Sequence, residues 1–194
     1  MHISEGVLSG SVLIAGWAGT CAGVALGLKR TDTAKIVRTA LLSSAFFLAS
    51  LVHVRIGPSS THLSFIAPMG LILGWGVFPA VMVALLLQAL LFGFGGLLVL
   101  GVNTLIMAGA ALSVYVLFGS RVRAGSTVMA FVAGAVAILL AAVFAGICLA
   151  LSDEGFMNAA KLLVIAHIPV AVIEGVVTAF MFVWLRKSAP EFLS

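Results

Sequence analysis

Seven apolar runs dominate this sequence, and short segments holding most of the polar residues separate them. A membrane-spanning helix needs about 20 predominantly apolar residues, and most of these runs reach or approach that length. The pattern predicts an all-α polytopic membrane protein with seven transmembrane helices. The runs are Val7–Leu28, Ile36–Val54, Leu63–Val77, Pro79–Phe92, Leu97–Phe118, Thr127–Leu151 and Ala160–Leu185.

Charged residues are too few for a water-soluble protein. Only 8% of the 194 residues are charged and 63% are hydrophobic, whereas soluble domains carry about 25% charged residues. So little polar surface cannot cover a globule of this size, and the absence of charge blocks excludes a disordered chain. The net charge of +4 comes from basic residues spread over short loops, where they mark membrane topology. We therefore expect no nucleic-acid partner.

The distribution of Lys and Arg predicts an N-terminus outside the cell and a cytoplasmic C-terminus. Basic residues concentrate on the cytoplasmic side of membrane proteins. Seven spans achieve this only if the two short runs that meet around Gly76 to Pro79 stay separate. The pair is then expected to form a tight inner turn or two tilted, partly buried helices. No linker is visible, so residues 1–194 are interpreted as one transmembrane domain. The predicted cytoplasmic residues are Lys29, Arg30, Lys35, Arg38, Arg121, Arg123, Arg186 and Lys187.

Small residues repeat at helical spacing in the first run. Gly19, Gly23 and Gly27 recur every fourth residue, and Ala15 continues the ridge. Such ridges let helix backbones approach closely in lipid. The ridge indicates internal packing or, alternatively, a docking surface for another membrane subunit.

The first two residues can chelate a metal ion. Residues 1–6 lack the positive region of a secretory signal peptide, so we expect Met1 to keep a free amine. That amine, the main-chain nitrogen of His2 and Nδ1 of the His2 ring can bind one ion in fused five- and six-membered rings. A fourth nitrogen would close a square plane, which Cu(II) and Ni(II) prefer. A histidine at position 2 also arises by chance, so this feature alone does not establish a site.

Other histidines fall on the same side of the predicted membrane. His53, His62 and His167 all lie in the outer half of the seven-span topology. We expect His62 to begin the third helix, as a metal ligand or as an interfacial histidine in contact with water. His53, at the end of the second helix, is interpreted as a hydrogen-bond partner of a ligand or as a ligand itself.

Polar groups inside the apolar runs are costly in a bilayer, which makes each a candidate functional residue. Gln88 and Asn103 flank a glycine-rich segment predicted to form a tight outer turn, and both are expected to bond an inserted N-terminal backbone or a neighbouring helix. His167 and Glu174 are seven residues apart on one helix face. They are interpreted as a hydrogen-bonded pair, as neighbours of the metal ligands or as part of a partner-binding surface.

Five blocks of this sequence resemble the CbiM/NikM family, the substrate-capture subunits of energy-coupling-factor importers for cobalt and nickel. The blocks follow the family's order and cover nearly the whole chain. Arg55 stands where proline is expected, and Ile106 where asparagine is frequent. The blocks are Met1-His2-Ile3 with Glu5-Gly6, His53 to Leu63 with its Gly57-Pro58-Ser-Ser-Thr-His62, Leu87 to Gly96, Leu100 to Thr104, and His167-Ile-Pro169 with Glu174-Gly175.

The resemblance implies seven transmembrane helices with the N-terminus inserted into the centre of the bundle. It implies Met1, His2 and His62 as metal ligands for Ni(II) or Co(II), which is cargo, so no resident cofactor is expected. It further implies a membrane coupling (T) subunit, cytoplasmic ATPase subunits and a small accessory membrane subunit in a bacterial or archaeal cell membrane. His53, Gln88, Asn103, His167 and Glu174 are candidate neighbours of the ligands.

Nickel uptake is the preferred interpretation of the function, and the chain itself is expected not to be an enzyme. The alternatives are a Co(II) uptake subunit for cobalamin synthesis, or a channel or carrier for another small solute. An intramembrane hydrolase using Ser59 or Ser60 is disfavoured, because no acid is placed to orient a histidine base.

Overall fold

The computed structural model describes residues 3–51, 53–56 and 59–193, with the backbone alone for residues 33–34, 53–56 and 59–62. Within these ranges the chain is helical apart from one short β-hairpin. The helices are α1 (Gly10–Arg30), α2 (Thr33–Ala49), α3 (Ile66–Leu73), α4 (Val77–Phe92), α5 (Leu100–Arg123), α6 (Thr127–Ser152) and α7 (Met157–Ser188), and the strands are β1 (His53–Ile56) and β2 (Ser59–His62). Short 3₁₀ turns occupy Gly74–Gly76, Glu154–Phe156 and Pro190–Leu193.

Five segments of the described chain are long and apolar enough to cross a membrane. α2, with 17 residues, is shorter. Large apolar side chains such as Ile14 and Phe180 are more than 70% exposed, as expected where a protein contacts lipid rather than water. The chain is therefore a multi-pass helical membrane protein. The five segments are Gly10–Arg30, Ile66–Phe92, Leu100–Arg123, Thr127–Ser152 and Glu154–Ser188.

The segment Ile66–Phe92 contains two helices that run in opposite directions. Gly70 and Gly74 lie against Ala111 and Tyr115, which makes α3 parallel to α5. α4 returns in the other direction, as its contacts with α1 show.

Contacts along α1 fix the direction of α4. Gly16 lies against Val102 and Gly19 against Leu105, about one turn further along α5, so α1 and α5 are parallel. Gly23, further along α1, lies against Phe78 at the start of α4. The loop that follows α4 is hydrogen bonded to the segment that precedes α1. α4 is therefore antiparallel to α1, and hence to α3 and α5.

The turn between α3 and α4 falls slightly earlier than the sequence predicts. It occupies Gly74–Gly76, and Gly74 adopts φ 54° and ψ −123°, a conformation that glycine tolerates without strain. Pro79 belongs to the first turn of α4, where a missing backbone N–H leaves no helical hydrogen bond unmade.

The glycine ridge of α1 is covered by this chain's own helices. Gly23 and Gly27 are buried, and Gly27 lies against Trp75 and Pro79. Ala15, by contrast, is exposed. The three glycines therefore serve internal packing, the first of the two interpretations.

The prediction that His53 ends the second helix and His62 begins the third is wrong. α2 ends at Ala49, α3 begins at Ile66, and both histidines lie in the antiparallel hairpin between them. The β-branched residues of β1, Val54 and Ile56, favour a strand. Pro58 disfavours a helical conformation at the residue before it, Gly57. Apolar content alone did not distinguish this segment from a helix.

Candidate functional site

The N-terminal segment is clamped to α5 by the Asn103 side chain. The backbone N–H of Ile3 donates to Asn103 Oδ1 at 3.1 Å, and Asn103 Nδ2 donates to the Ile3 carbonyl oxygen at 3.0 Å. Both residues are buried. The predicted bond between Asn103 and the N-terminal backbone is thus present, and Ile3 is held inside the bundle. Met1 and His2 lie outside the described residues.

The glycine-rich loop after α4 supplies a second attachment for the N-terminal segment. Gly93, Gly95 and Gly96 all have positive φ, which gives the tight turn expected from the sequence. The Glu5 N–H donates to the Gly95 carbonyl at 3.2 Å, and Glu5 Oε1 accepts from the Leu98 N–H at 2.9 Å. The chain between Ile3 and α1 therefore follows a fixed path across this loop.

Gln88 is fully buried, and neither atom of its amide group has a hydrogen-bond partner among the described residues. The expected bond from Gln88 to the described part of the N-terminal backbone is not formed. Thr104, next to Asn103, is also buried with an unpaired hydroxyl in this part of the chain. Buried polar groups normally have partners, so both side chains are exceptions within this apolar bundle.

The N-terminal segment and the segment entering α3 meet the same face of α5. Asn103, Met107 and Ala111 are one turn apart on that face. α3 lies against it at Ala111, and its register, continued one turn back, puts Ile66 level with Met107. By this register the start of α3 lies one helical turn along α5 from Asn103, which holds Ile3.

His53 and His62 are directly opposite each other in the hairpin. The register pairs His53 with His62 and Val54 with Thr61. The hairpin thus brings two of the predicted histidine positions together, and it leads into α3, which begins four residues after His62. The side chains of both histidines lie outside the described part of the structure, so the predicted ligand role of His62 stays a prediction.

Glu174 and His167 do not form the expected pair. Glu174 Oε1 accepts hydrogen bonds from the Ser64 N–H, from Ser64 Oγ at 3.0 Å and from the Phe65 N–H at 3.4 Å. His167 Nδ1 is 2.7 Å from the Leu163 carbonyl oxygen, one turn back on its own helix. Spacing on one face made the pair plausible, but each side chain has a nearer partner.

Two contributors to this region were missed at the sequence level. Ser64 is buried beside Glu174, and Phe65 is the one non-glycine residue with positive φ in the described chain, at 50°. Neither has a local sequence signal, because their partner is 109 or 110 residues away. Among the side chains described, no three His, Cys, Asp or Glu residues are grouped closely enough to hold a metal ion.

These features define a class of protein: a multi-pass helical membrane protein with its N-terminal segment clamped inside the bundle and a histidine-bearing hairpin leading into a short buried helix.

Residues 2–192 match the CbiM family, described as the cobalt uptake substrate-specific transmembrane region, and the chain belongs to this family. It is 38% identical over 200 residues to a Haemophilus influenzae protein named "Putative metal transport protein", covering all of this chain and 97% of the other. A fused nickel transport protein, NikMN, of Rhodobacter capsulatus is 29% identical, and this chain spans 64% of its length.

A solved structure has the same fold. The crystal structure of a truncated transition metal transporter superposes with a TM-score of 0.83, covers 96% of this chain and 99% of its own, and is 26% identical. The chain is therefore a membrane component of the cobalt and nickel transporter family.

Proposed function

We propose that this chain is the metal-capture subunit of an energy-coupling-factor importer and that its cargo is Ni(II). The observation that carries the proposal is the convergence of two segments on one face of α5. Met1 and His2 directly precede Ile3, which Asn103 holds on that face. His62 ends the hairpin that leads into α3, and α3 packs against α5 at Ala111.

The proposed ligands are four nitrogen atoms. Met1 contributes its amine, His2 contributes its main-chain nitrogen and Nδ1, and the His62 ring closes the plane. One extended residue spans at most about 3.6 Å, so the clamp on Ile3 keeps both N-terminal residues near Asn103. His53, opposite His62 in the hairpin register, is proposed to orient a ligand rather than to bind the metal.

Gln88 is proposed to bond the backbone of the two N-terminal residues. A buried amide left without a partner costs about 1–3 kcal/mol per unsatisfied group. Within the described chain neither atom of the Gln88 amide has one, and the loop after α4 already holds Glu5. An N-terminal backbone beside Gln88 would satisfy this side chain.

Nickel is expected to bind ahead of cobalt. A deprotonated amide and three further nitrogens impose a strong in-plane field, which favours low-spin d⁸ Ni(II), and Ni(II) lies above Co(II) in the general affinity order. Zn(II) prefers a tetrahedron and should bind poorly. Co(II) uptake is the second candidate, since the family description names cobalt.

Absorption spectroscopy of the purified protein tests both the site and the metal. Titration with Ni(II) should give one equivalent of a diamagnetic, yellow, square-planar centre, and excess Co(II) should not displace it under anaerobic conditions. Binding should release protons and weaken in acid, because the amine, amide and imidazoles must all be deprotonated. A six-coordinate paramagnetic nickel centre would contradict the four-nitrogen plane, and displacement by equimolar Co(II) would favour cobalt.

Partner subunits are proposed to power and complete the transport. The Gly-Lys-Ser/Thr element of phosphate-binding loops does not occur in this sequence. We therefore propose a pair of cytoplasmic ATPase subunits, a membrane coupling (T) subunit and a small accessory membrane subunit. None of the catalysis is assigned to this chain.

The proposed topology has seven spans, with α3 and α4 forming a short inward and outward pair. The alternating helix directions support it, and so do contacts of basic residues at one end of the bundle. Arg30 lies over the Trp75 ring at 4.7 Å, and Arg186 donates to the Val122 carbonyl at 2.9 Å. Basic residues at one end indicate the cytoplasmic side.

Cysteine labelling tests this topology. In a background without Cys21 and Cys148, Arg123→Cys should react with an impermeant maleimide only in inverted vesicles. Asp153→Cys should react only from outside intact cells. Reaction of both from outside would contradict the seven-span arrangement.

A further inference from the structure

We propose that Glu174 is a positioning residue for His62. Its carboxylate fixes the segment that joins the hairpin to α3, and through that segment it sets where His62 can lie. This inference rests on the proposed function, because it assumes that His62 binds the metal.

Glu174 holds this segment through one oxygen atom. Oε1 accepts from the Ser64 N–H, the Ser64 hydroxyl and the Phe65 N–H. Both Glu174 and Ser64 are almost fully buried, at 1% and 2% exposure. Three donors, two of them main-chain N–H groups, converge on this one oxygen atom, so the carboxyl group ties α7 to the entrance of α3.

The backbone at Phe65 needs such an attachment. Its φ of 50° lies in the left-handed region, which a bulky side chain rarely adopts and which persists only where surrounding contacts impose it. The Phe65 N–H donates to Glu174, and the Phe65 carbonyl accepts from Met69 in the first turn of α3. The sharp change in chain direction after Ser64 is therefore held from both sides.

His62 is close to this fixed point. It lies two positions before Ser64, with only Leu63 between them, and two extended residues span at most about 7 Å. With Ser64 fixed, the His62 backbone has a small range of positions. A change that frees Ser64 would let the hairpin move as a unit and take the proposed fourth nitrogen away from the metal.

Helix α6 holds Glu174 in place. A Cβ atom built on Gly134 would lie 2.7 Å from the Glu174 carbonyl oxygen and 2.8 Å from Gly175 Cα, so the two backbones touch here. On the other side, Gly175 lies against the Phe131 ring. The part of α7 that carries Glu174 is therefore packed closely against α6.

A double-mutant cycle with His62 tests the inference. Glu174→Ala should weaken Ni(II) affinity about 10- to 100-fold, the range measured when hydrogen-bond partners of metal sites are removed. Its Ni(II) absorption spectrum should resemble that of His62→Ala. In the His62→Ala background, Glu174→Ala should cause no further loss, because coupled residues are not additive.

Two conservative variants at residue 174 distinguish the position of the acceptor oxygen from the presence of a carboxyl group. Glu174→Gln keeps the length and an acceptor oxygen, so it should bind Ni(II) better than Glu174→Asp, which keeps the carboxyl group but withdraws it by one methylene. These variants also serve if Glu174→Ala does not survive purification. Amide hydrogen exchange at Ser64 and Phe65 in the metal-free protein should be faster in Glu174→Asp than in Glu174→Gln.

The outcomes distinguish this inference from the proposed function. If wild type fails to bind Ni(II), the proposed function fails. If His62→Ala keeps wild-type affinity, His62 is not a ligand and the positioning role fails with that assignment. If His62→Ala loses affinity but Glu174→Ala has no effect, or lowers affinity by the same factor in both backgrounds, only the positioning role is overturned. Stronger binding by Glu174→Asp than by Glu174→Gln would also overturn it.

Discussion

Ni(II) affinity is expected to fall by more than about 100-fold, beyond the range typical of lost ligand-neighbour contacts, when a single residue is added before Met1. The extension converts the proposed amine ligand into a peptide amide and moves the new amine up to about 3.6 Å away. The five-membered chelate ring that joins the amine to the His2 nitrogen can then no longer form in the same place. Isothermal titration with Ni(II) measures the effect.

Two controls accompany this experiment. One residue added after Ser194 should leave affinity unchanged. The N-extended protein should keep its thermal midpoint in detergent, because the bonds that clamp Ile3 to Asn103 do not involve Met1. Full affinity in the N-extended protein would exclude the N-terminal amine as a ligand.

The second large effect is expected from His2→Ala and His62→Ala, each of which removes a ring nitrogen from the proposed plane. Both variants should lower Ni(II) affinity by more than about 100-fold, beyond the range typical of lost ligand-neighbour contacts, and the three remaining nitrogen ligands should leave a weak binding that the titration can still measure. His53→Ala should lose only about 10- to 100-fold if it orients a ligand. If His53→Ala abolished binding while His62→Ala spared it, the two assignments would be interchanged.

His167→Ala is the matched control for these histidine variants. His167 is half-buried and its ring bonds the Leu163 carbonyl on its own helix. The substitution removes the same chemical group from the same chain without touching the proposed plane. We expect wild-type Ni(II) affinity, and a loss equal to that of His62→Ala would assign His167 to the metal site.

Long apolar runs made the main helices predictable from the sequence. The run Thr127–Leu151 corresponds to α6 within one residue at its C-terminal end, because lipid-spanning helices have a composition that little else shares. Asn103 was also predictable as an anchor, since an amide inside such a run needs a partner. Its bond to Ile3 followed from the expected insertion of the N-terminus.

The hairpin and the Glu174 contacts were beyond prediction from local patterns. An apolar run that includes Val54 suits a helix end and a strand equally well, and only the placement of the flanking helices separates them. Ser64 and Glu174 are 110 residues apart, so their contact depends on how α3, α6 and α7 pack. Spacing within α7 suggested His167 as a partner for Glu174, whereas in the folded chain Glu174 accepts hydrogen bonds from Ser64.

The clamp between Ile3 and Asn103 also determines when this protein becomes complete during synthesis. Ile3 leaves the ribosome 100 residues before its partner, a delay of about 5–20 s at ordinary translation rates. Until α5 is inserted, the N-terminal segment lacks the two hydrogen bonds with Asn103 that hold Ile3 in place. The contact between Glu174 and Ser64 must wait longer still, for α7. The N-terminal segment, although made first, therefore reaches its final position only after α5 is made, and a chain truncated before α5 lacks the Asn103 clamp.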